Sequence, residues 1–395
     1  MSLRCGLDRL LERSQELAGR RLGLLAHGAS VTSDLRPAHL ALAAAGFAPH
    51  ALFGPEHGYY GVEQDMVPAA DAIDPWTGAP IRSLYGRSEA SFRPEPAAFR
   101  GLDLLLVDLQ DVGARYYTYV ATAVWAAEAA LGAGCQVWVL DRPNPLGGMM
   151  VEGNLRGPGM ESFVGAFPTP VRHGLTLGEI VRWRLEETSD WSAEGLVVWT
   201  MEGWDPAANW PRTGRPWMAP SPNMPSYPTA ALYPGLCLIE ATTLSEGRGT
   251  TRPFHLVGAP HLDPRELAAA VSDLGVPGVT AVPTYFRPQF QKHAGRVCGG
   301  VELIVTDAAT LPAYRFGVEL LRLLWERSDP DAFWREEPYE LVSDRPAIDL
   351  LAGSTELRQR LESGTPLDDW IESWEVDEEA WLEETRGVWL YPRPG

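Results

Sequence analysis

The first 200 residues alternate short apolar runs with Ala- and Leu-rich stretches in which apolar side chains recur every three or four positions. Apolar runs predict buried strands, and the longer spacing predicts helices. Strands separated by single helices are typical of α/β proteins, so we predict an open, doubly wound, mostly parallel sheet. The predicted strands cover 21–27, 49–54, 102–110, 135–142 and 194–204, and the predicted helices cover 33–46, 116–134 and 176–187.

The pattern changes after Trp204, where a proline-rich and aromatic stretch at 205–235 suits an ordered connection between domains. The remainder mixes β-like runs with helical ones, which predicts a second, smaller α+β domain. We place the boundary near residue 225, giving predicted domains of 1–225 and 226–395. In the second domain the predicted strands cover 278–290 and 299–307, and the predicted helices cover 264–275 and 312–328.

The composition indicates a soluble globular protein. Of 395 residues, 45% are hydrophobic and 22% are charged, and no apolar run approaches the ~20 residues that a membrane span needs. The 33 basic and 52 acidic residues give a net charge of -19, which disfavours nucleic acids and anionic membranes as partners. The first 21 residues lack the apolar core of a secretion signal, so we expect a cytoplasmic protein.

Several familiar chemistries lack their motifs. Lys292 is the only lysine, which excludes a Walker A or kinase lysine and leaves a Schiff-base enzyme only that residue. The four cysteines form no C-x-x-C pair, and there is no G-x-S-x-G, no H-E-x-x-H and no G-x-G-x-x-G after the first strand. We therefore expect no cofactor and no metal, and acid/base work by carboxylates becomes the leading option, most commonly in glycoside cleavage.

Polar side chains follow four predicted strands at the ends where parallel sheets bind ligands. They are His27 and Ser30, then Glu56 and His57, then Asp108, Gln110, Asp111 and Arg115, and then Asp141, Arg142 and Asn144. We expect a ligand site at this edge. The alternative is that such residues cap helices and tie loops together, and it applies to Asp111, Asp141 and Asn144 in particular.

Glu56 differs from the others because Glu is a poor turn residue. It lies in "LFGPEHGYYG" (52–61), where Pro55 and the flanking Gly54 and Gly58 would orient its side chain. Glu56 is therefore a candidate catalytic residue. His57 could orient it, bind a ligand or be a structural histidine.

A second candidate region lies at 220–260, which is dense in carboxylates, arginines and small hydroxyl residues. The "EGRG" stretch at 246–249 would let a guanidinium approach an anionic group, and arginine offers a planar fork for a carboxylate. The alternative is a salt-bridge network that joins the two domains. The candidates here are Asn223, Glu240, Glu246, Arg248 and Arg252.

Six motifs, in matching order within residues 21–260, resemble the family of NamZ exo-β-N-acetylmuramidases, first catalogued as a domain of unknown function. They are "LFGPEHGYYG" (52–61), "DLQDVGARYYTY" (108–119), "LDRPNPLGG" (140–148), "PVRHGLTLGE" (170–179), "SPNMPS" (221–226) and "LSEGRGTTRPF" (244–254). The resemblance implies a Rossmann-like N-terminal domain, a smaller C-terminal domain and an active-site cleft between them. It also implies release of terminal N-acetylmuramic acid from peptidoglycan fragments, with Glu56 as the acid/base residue.

The substrate that the resemblance implies carries a lactyl carboxylate, which needs a cation. Arg248 and Arg252 are the candidates, with Arg172 of "PVRHG" behind them. The second catalytic group stays open between Asp111, Glu240, Glu246 and the acetamido group of the substrate itself. The other substrate-binding candidates are His57, Arg115, Tyr119, Asp141, Asn144, His173, Asn223 and Glu240, with Tyr116, Tyr117 and Tyr119 forming either a sugar-stacking face or part of the core.

Two other functions fit the same residues. A non-catalytic protein could bind cell-wall sugars in the same cleft. A metal-dependent hydrolase could use Glu56, His57 and Asp65, although their spacing matches no standard metal site.

Overall fold

The computed structural model describes residues 3–187 and 195–393. Its larger sheet has seven strands in the order β3-β4-β2-β1-β5-β6-β7, all parallel except β3, which runs antiparallel to β4. The strands are β1 (Leu22–Ala26), β2 (Ala51–Gly54), β3 (Ala72–Ile73), β4 (Pro80–Ser83), β5 (Leu104–Asp108), β6 (Gln136–Leu140) and β7 (Leu196–Trp199). The helices of this part are α1 (Gly6–Glu12), α2 (Ala38–Ala44), α3 (Tyr119–Gly132) and α4 (Leu177–Glu187).

The predicted α/β sheet is confirmed, because its five predicted strands form β1, β2, β5, β6 and β7. Strands β1 and β5 are buried along their whole length, as expected of central strands flanked by helices on both faces. The short strands β3 and β4 were not predicted. Strand β3 is the edge strand and consists of two residues, both exposed, and β4 beside it has only four residues, one of them an exposed arginine, so neither carries a continuous apolar run.

The second sheet is smaller and antiparallel, with the order β8-β10-β9. Its strands are β8 (Leu256–Ala259), β9 (Val279–Phe286) and β10 (Cys298–Val305). The helices around it and after it are α5 (Tyr227–Leu236), α6 (Pro264–Asp273), α7 (Ala313–Trp325), α8 (Ala347–Ala352), α9 (Glu356–Ser363) and α10 (Asp368–Thr385). A second, smaller domain is therefore present. No helix in the described ranges is long and apolar enough to cross a membrane.

The two sheets share one hydrophobic core, which extends from Leu25 and Val107 in the larger sheet to Val301 in the smaller. Helices α5 and α7 pack backbone to backbone within it. A Cβ atom added to Gly235 would lie 2.0 Å from the carbonyl oxygen of Ala313, so any side chain there would force the helices apart. The shared core fixes the relative position of the domains and of the cleft between them.

The C-terminal segment returns to the larger sheet. Trp381 of α10 is fully buried, and its Nε1 donates to the carbonyl oxygen of His173 at 2.8 Å. Farther along, the Tyr391 hydroxyl donates to Oδ2 of Asp141 at 2.6 Å. The C-terminal segment is thereby joined to the segment before α4 and to the end of β6.

Asp141 follows β6 and is completely buried. Besides the bond from Tyr391, it accepts hydrogen bonds from Thr176 Oγ1 at 2.8 Å and from the Gly178 backbone N–H at 2.9 Å, so it holds the start of α4. Burial, together with the nearby Glu179 carboxylate, raises the pKa of Asp141 to about 7. The carboxyl group therefore joins α4, β6 and the C-terminal segment.

This raised pKa predicts a pH-dependent stability. The folded-state pKa of Asp141 exceeds its ordinary value of 3.8, so its stabilising contribution is complete below about pH 4 and is lost as the pH rises to about 7. We expect the free energy of unfolding of the wild type to fall over this interval, relative to Asp141→Asn, by up to about 1.4 kcal/mol per pH unit. Urea unfolding at a series of pH values measures this difference, and parallel curves for the two proteins would contradict it.

Candidate active site

The "GPEHG" turn begins where β2 ends and folds back on the strand. A Cβ atom on Gly54 would lie 2.4 Å from the backbone nitrogen of Tyr59, so the close return requires glycine. His57 and Gly58 both adopt the left-handed conformation, with φ of 69° and 78°. This tight backbone path directs the Glu56 side chain into the interior, where it is 5% exposed.

Both carboxylate oxygens of Glu56 accept hydrogen bonds. Oε2 accepts from the hydroxyl of Thr118, just before α3, at 2.8 Å, and Oε1 accepts from the backbone N–H of Met66 at 3.3 Å. The neighbouring His57 is held by a 3.0 Å hydrogen bond between its Nδ1 and the carbonyl oxygen of Glu63. The orientation of the Glu56 side chain is therefore fixed by contacts from two parts of the chain, and that of His57 by a third contact.

Glu56 lines a narrow cavity that is formed by both domains and partly open to solvent. The walls contain four carboxyl groups but only one arginine or lysine, counted over the described lining residues. From the first domain the lining residues are Glu56, His57, Asp65, Tyr116, Tyr117, Thr118, Val164, Ser221, Asn223 and Met224. From the second they are Tyr233, Glu240, Arg248, Phe254, Tyr339 and Glu340.

Arg248 is the cation of this cavity, and three carboxylates surround it. Its Nη1 lies 2.8 Å from Glu240 Oε1 and 3.4 Å from Glu246 Oε1, and its Nε lies 3.6 Å from Asp65 Oδ1. Burial alone would lower the pKa of the guanidinium, but the carboxylates outweigh it and the pKa is raised. Arg248 therefore stays charged inside the protein.

Glu246 lines an adjoining outer cavity instead, and the two cavities share Asp65, Glu240 and Arg248 as their common wall. The ammonium group of Lys292 donates to Glu246 Oε2 at 2.9 Å and to the carbonyl oxygens of Ile239 and Glu240. Burial opposes ionisation of Glu246, but Lys292 and Arg248 overcome it and lower the pKa of the carboxyl group. Glu246 is thus a paired carboxylate beside the inner cavity.

Sequence reasoning missed Glu340, which lines the inner cavity and is buried. Oε2 of Glu340 accepts a hydrogen bond from the Tyr85 hydroxyl at 3.1 Å, while the adjacent Tyr339 hydroxyl donates to Glu240 Oε2 at 2.9 Å. Burial, followed by the charges of Glu56 and Glu240, raises the pKa of Glu340 well above its ordinary value. The surrounding sequence "EPYELV" carries no motif, and only the folded chain brings this segment to Glu56.

Of the other predicted residues, Asn223 lines the inner cavity, where its amide donates to Gln64 Oε1 at 3.2 Å. Tyr116 and Tyr117 also line it. Tyr119 is not among the lining residues. Its hydroxyl donates to the carbonyl oxygen of Pro220 at 2.8 Å and lies 3.4 Å from the carbonyl oxygen of Glu56, so it contacts the backbone of the turn and not the cavity.

Asp111 and His173 form a buried pair beside the cavity, outside its lining. The distance from His173 Nε2 to Asp111 Oδ2 is 3.3 Å, and the same oxygen accepts the backbone N–H of Gly113 at 2.7 Å. His173 Nδ1 accepts the backbone N–H of Leu175. These contacts give both side chains partners within the protein.

Three more candidates bind backbone carbonyl oxygens away from the cavity. The buried Arg115 guanidinium donates to the carbonyls of Asn154, Thr169, Leu351 and Ala352 and so joins the first domain to α8. Asn144 donates to Leu175, and Arg172 donates to Leu146. Together with the structural contacts of Asp141, these bonds match the alternative that strand-end polar residues tie loops together.

Arg252 lies in a different, more exposed region and forms a 2.6 Å ion pair with Glu302. Of the two arginines in the "EGRG" region, only Arg248 lines the cavity that contains Glu56. No group of three or more His, Cys, Asp or Glu side chains within the described ranges is arranged to hold a metal ion.

The sequence matches two family models that together cover most of the chain. Residues 22–228 match the N-terminal region of exo-β-N-acetylmuramidase NamZ, and residues 231–391 match its C-terminal region. The chain is 38% identical over 372 residues to the peptidoglycan β-N-acetylmuramidase NamZ of Bacillus subtilis (strain 168), covering 94% of this chain and 87% of that protein.

Two solved structures of DUF1343 family proteins from Bacteroides fragilis NCTC 9343 share the fold. One is 30% identical, with a TM-score of 0.87 and 99% of each chain covered; the other is 26% identical, with a TM-score of 0.78 and 100% of each chain covered. The two-domain α/β fold is therefore that of these proteins. From the models, the relative and the fold, the chain belongs to the NamZ family of exo-β-N-acetylmuramidases, which are glycosidases.

Proposed function

We propose that this protein is an exo-β-N-acetylmuramidase that releases terminal N-acetylmuramic acid from peptidoglycan fragments, with Glu56 as a catalytic acid/base residue. The observation that carries the proposal is the position of Glu56, a buried carboxylate fixed at the ligand-binding edge of the sheet and facing a cavity between the domains. The Bacillus subtilis relative, named as a peptidoglycan β-N-acetylmuramidase, supports the substrate class.

The walls of the cavity suit a sugar. Tyr116, Tyr117, Tyr233 and Phe254 provide aromatic surface, while Asn223 and several carboxylates provide hydrogen-bonding groups. Pockets that combine aromatic surface with a few polar groups are typical of small-molecule sites. Since the lining is largely buried, a bound sugar would meet preorganised groups rather than bulk water.

The lactyl carboxylate of muramic acid would bind Arg248. Arg248 contacts Asp65 at 3.6 Å, the longest of its three carboxylate contacts. A substrate carboxylate could therefore take the place of Asp65 beside the guanidinium. Arg248 is also part of the wall shared with the outer cavity, which adds Lys292 and Arg335. These three cations are the positive charges that the described lining of the two cavities offers to a substrate carboxylate.

The first prediction concerns Glu56→Gln. The amide keeps the size of the side chain but removes its acid/base chemistry, so we expect kcat/KM on a chromogenic N-acetylmuramide to fall by about 10²- to 10⁴-fold. Glu63→Gln is the matched control, because Glu63 lies in the same loop and does not line the cavity. Equal activity of Glu56→Gln and the wild type, with both proteins folded, would remove Glu56 from the mechanism.

A second prediction concerns recognition of the acid group. Arg248→Lys keeps a positive charge but loses the planar fork, and a hydrogen bond to a charged group contributes about 1.5 to 3 kcal/mol. We expect kcat/KM on N-acetylmuramides to fall by roughly 10- to 100-fold, with little change on the matching N-acetylglucosaminide, which lacks the lactyl group. Arg252→Lys is the control.

Two outcomes of these assays would contradict the proposal. A wild type that hydrolyses muramic, glucosamine and galactosamine glycosides equally well would refute the substrate assignment. Binding of N-acetylmuramic acid fragments without release of any sugar would favour the non-catalytic binding protein. An assay in excess chelator distinguishes the proposed glycosidase from the metal-dependent hydrolase. A glycosidase that works through carboxyl groups alone keeps full activity when chelator is present.

A further inference from the structure

The proposed function assigns no role to Glu340, although this residue lies in the same cavity as Glu56. It comes from the second domain, lines the same cavity as Glu56 and is 5% exposed. No arginine or lysine within residues 3–187 and 195–393 forms an ion pair with it, because the contacts of Arg248 go to Glu240, Glu246 and Asp65. Its hydrogen-bond donor is the neutral hydroxyl of Tyr85. Charge pairing therefore does not explain why this carboxyl group is buried.

The backbone holds Glu340 in an unfavourable conformation. Glu340 and Leu341 have φ of 48° and 65°, in the left-handed region that non-glycine side chains rarely adopt. The turn is closed by two backbone hydrogen bonds between Tyr339 and Val342, at 3.0 and 2.9 Å. Such strained residues cluster at functional sites. Here the strained turn keeps the carboxyl group of Glu340 in the cavity.

We propose that Glu340 is the general acid of the glycosidase reaction and that Glu56 serves as its base, so that the two domains each supply one catalytic carboxyl group. This inference rests on the proposed function and deepens it. It also names the second catalytic group, which the sequence left open between Asp111, Glu240, Glu246 and the acetamido group of the substrate.

The division of roles follows from the hydrogen bonds. Both oxygens of Glu56 accept hydrogen bonds from the protein, from Thr118 and Met66, which suits a carboxylate. Glu340 accepts one hydrogen bond, from Tyr85, and burial together with nearby carboxylates raises its pKa well above the ordinary value, which favours the protonated form that an acid needs. Two carboxyl groups whose surroundings differ in this way are the usual arrangement for an acid and a base.

The reaction balances with these two groups and water. Glu340 gives its proton to the glycosidic oxygen while the bond from that oxygen to the anomeric carbon breaks and its electron pair goes to the departing alcohol. Water supplies the new oxygen on the anomeric carbon and gives a proton to Glu56. Transfer of that proton back to Glu340 through solvent restores the starting state, and the net reaction is hydrolysis.

The test compares leaving groups. A sugar alcohol needs a proton to depart, whereas a dinitrophenolate does not. We expect Glu340→Gln to lose about 10²- to 10⁴-fold in kcat/KM on an N-acetylmuramyl-N-acetylglucosamine disaccharide and much less on the dinitrophenyl N-acetylmuramide. Glu56→Gln should lose activity on both. Glu336→Gln, an exposed residue four positions earlier in the chain, is the matched control and should behave as the wild type.

A pH profile provides a second readout that does not require Glu340 to be replaced. The Tyr85 hydrogen bond lowers the pKa of Glu340, so Tyr85→Phe should raise it and move the basic limb of kcat/KM to higher pH. In Glu340→Gln the same limb should disappear. The charged and titratable groups that face Glu340 or share its cavity are Glu56, Asp65, Glu240, Tyr85, Tyr339, His57 and Arg248.

The outcomes separate the two proposals. If the wild type releases no sugar from either substrate, the proposed function fails and this inference with it. If the wild type and Glu56→Gln behave as expected but Glu340→Gln loses the same factor on both substrates, or nothing on either, only the assignment of Glu340 is overturned. Should Glu340→Gln fail to fold, as judged by its thermal melt, the profile of Tyr85→Phe decides, and a basic limb that stays in place or moves to lower pH refutes the assignment.

Discussion

The charge balance around Arg248 governs the chemistry of the cavity. One guanidinium, already surrounded by Glu240, Glu246 and Asp65, is the only arginine or lysine among the described lining residues, while Glu56 and Glu340 also face the same space. Burying a carboxylate that lacks a cation is costly, and burial raises the pKa of both Glu240 and Glu340. A raised pKa favours the protonated form of an enclosed carboxyl group, which is the form that can act as an acid.

Neither domain builds this arrangement alone. Glu56 comes from the carboxyl edge of the large sheet, while Glu240, Arg248 and Glu340 come from the second domain. The hydrophobic core that runs through both sheets holds the two sets of side chains in their relative positions. Sites at domain junctions commonly depend on such packing, since small displacements cost much of the catalytic effect.

The apolar pattern predicted the parallel sheet well, because buried central strands carry continuous apolar runs. It missed β3 and β4, which lie at an exposed edge. Polar residues at strand ends were less informative. Glu56 lines the cavity, but Asp141, Asn144 and Arg115 bind backbone groups, and a polar side chain is needed in either case. Glu340 could not be predicted, since its place depends on a turn whose left-handed backbone contains no glycine.

The single lysine has a practical consequence for handling the protein. Lys292 is about 20% exposed and its ammonium group is already bound by three oxygen atoms, while every other basic side chain apart from the histidines is an arginine. Reagents that acylate side-chain amines therefore find one hindered target, in the wall of the outer cavity. Coupling to an amine-reactive resin or dye would leave most of the surface untouched, and attachment through carboxylates, which are abundant, is the better route.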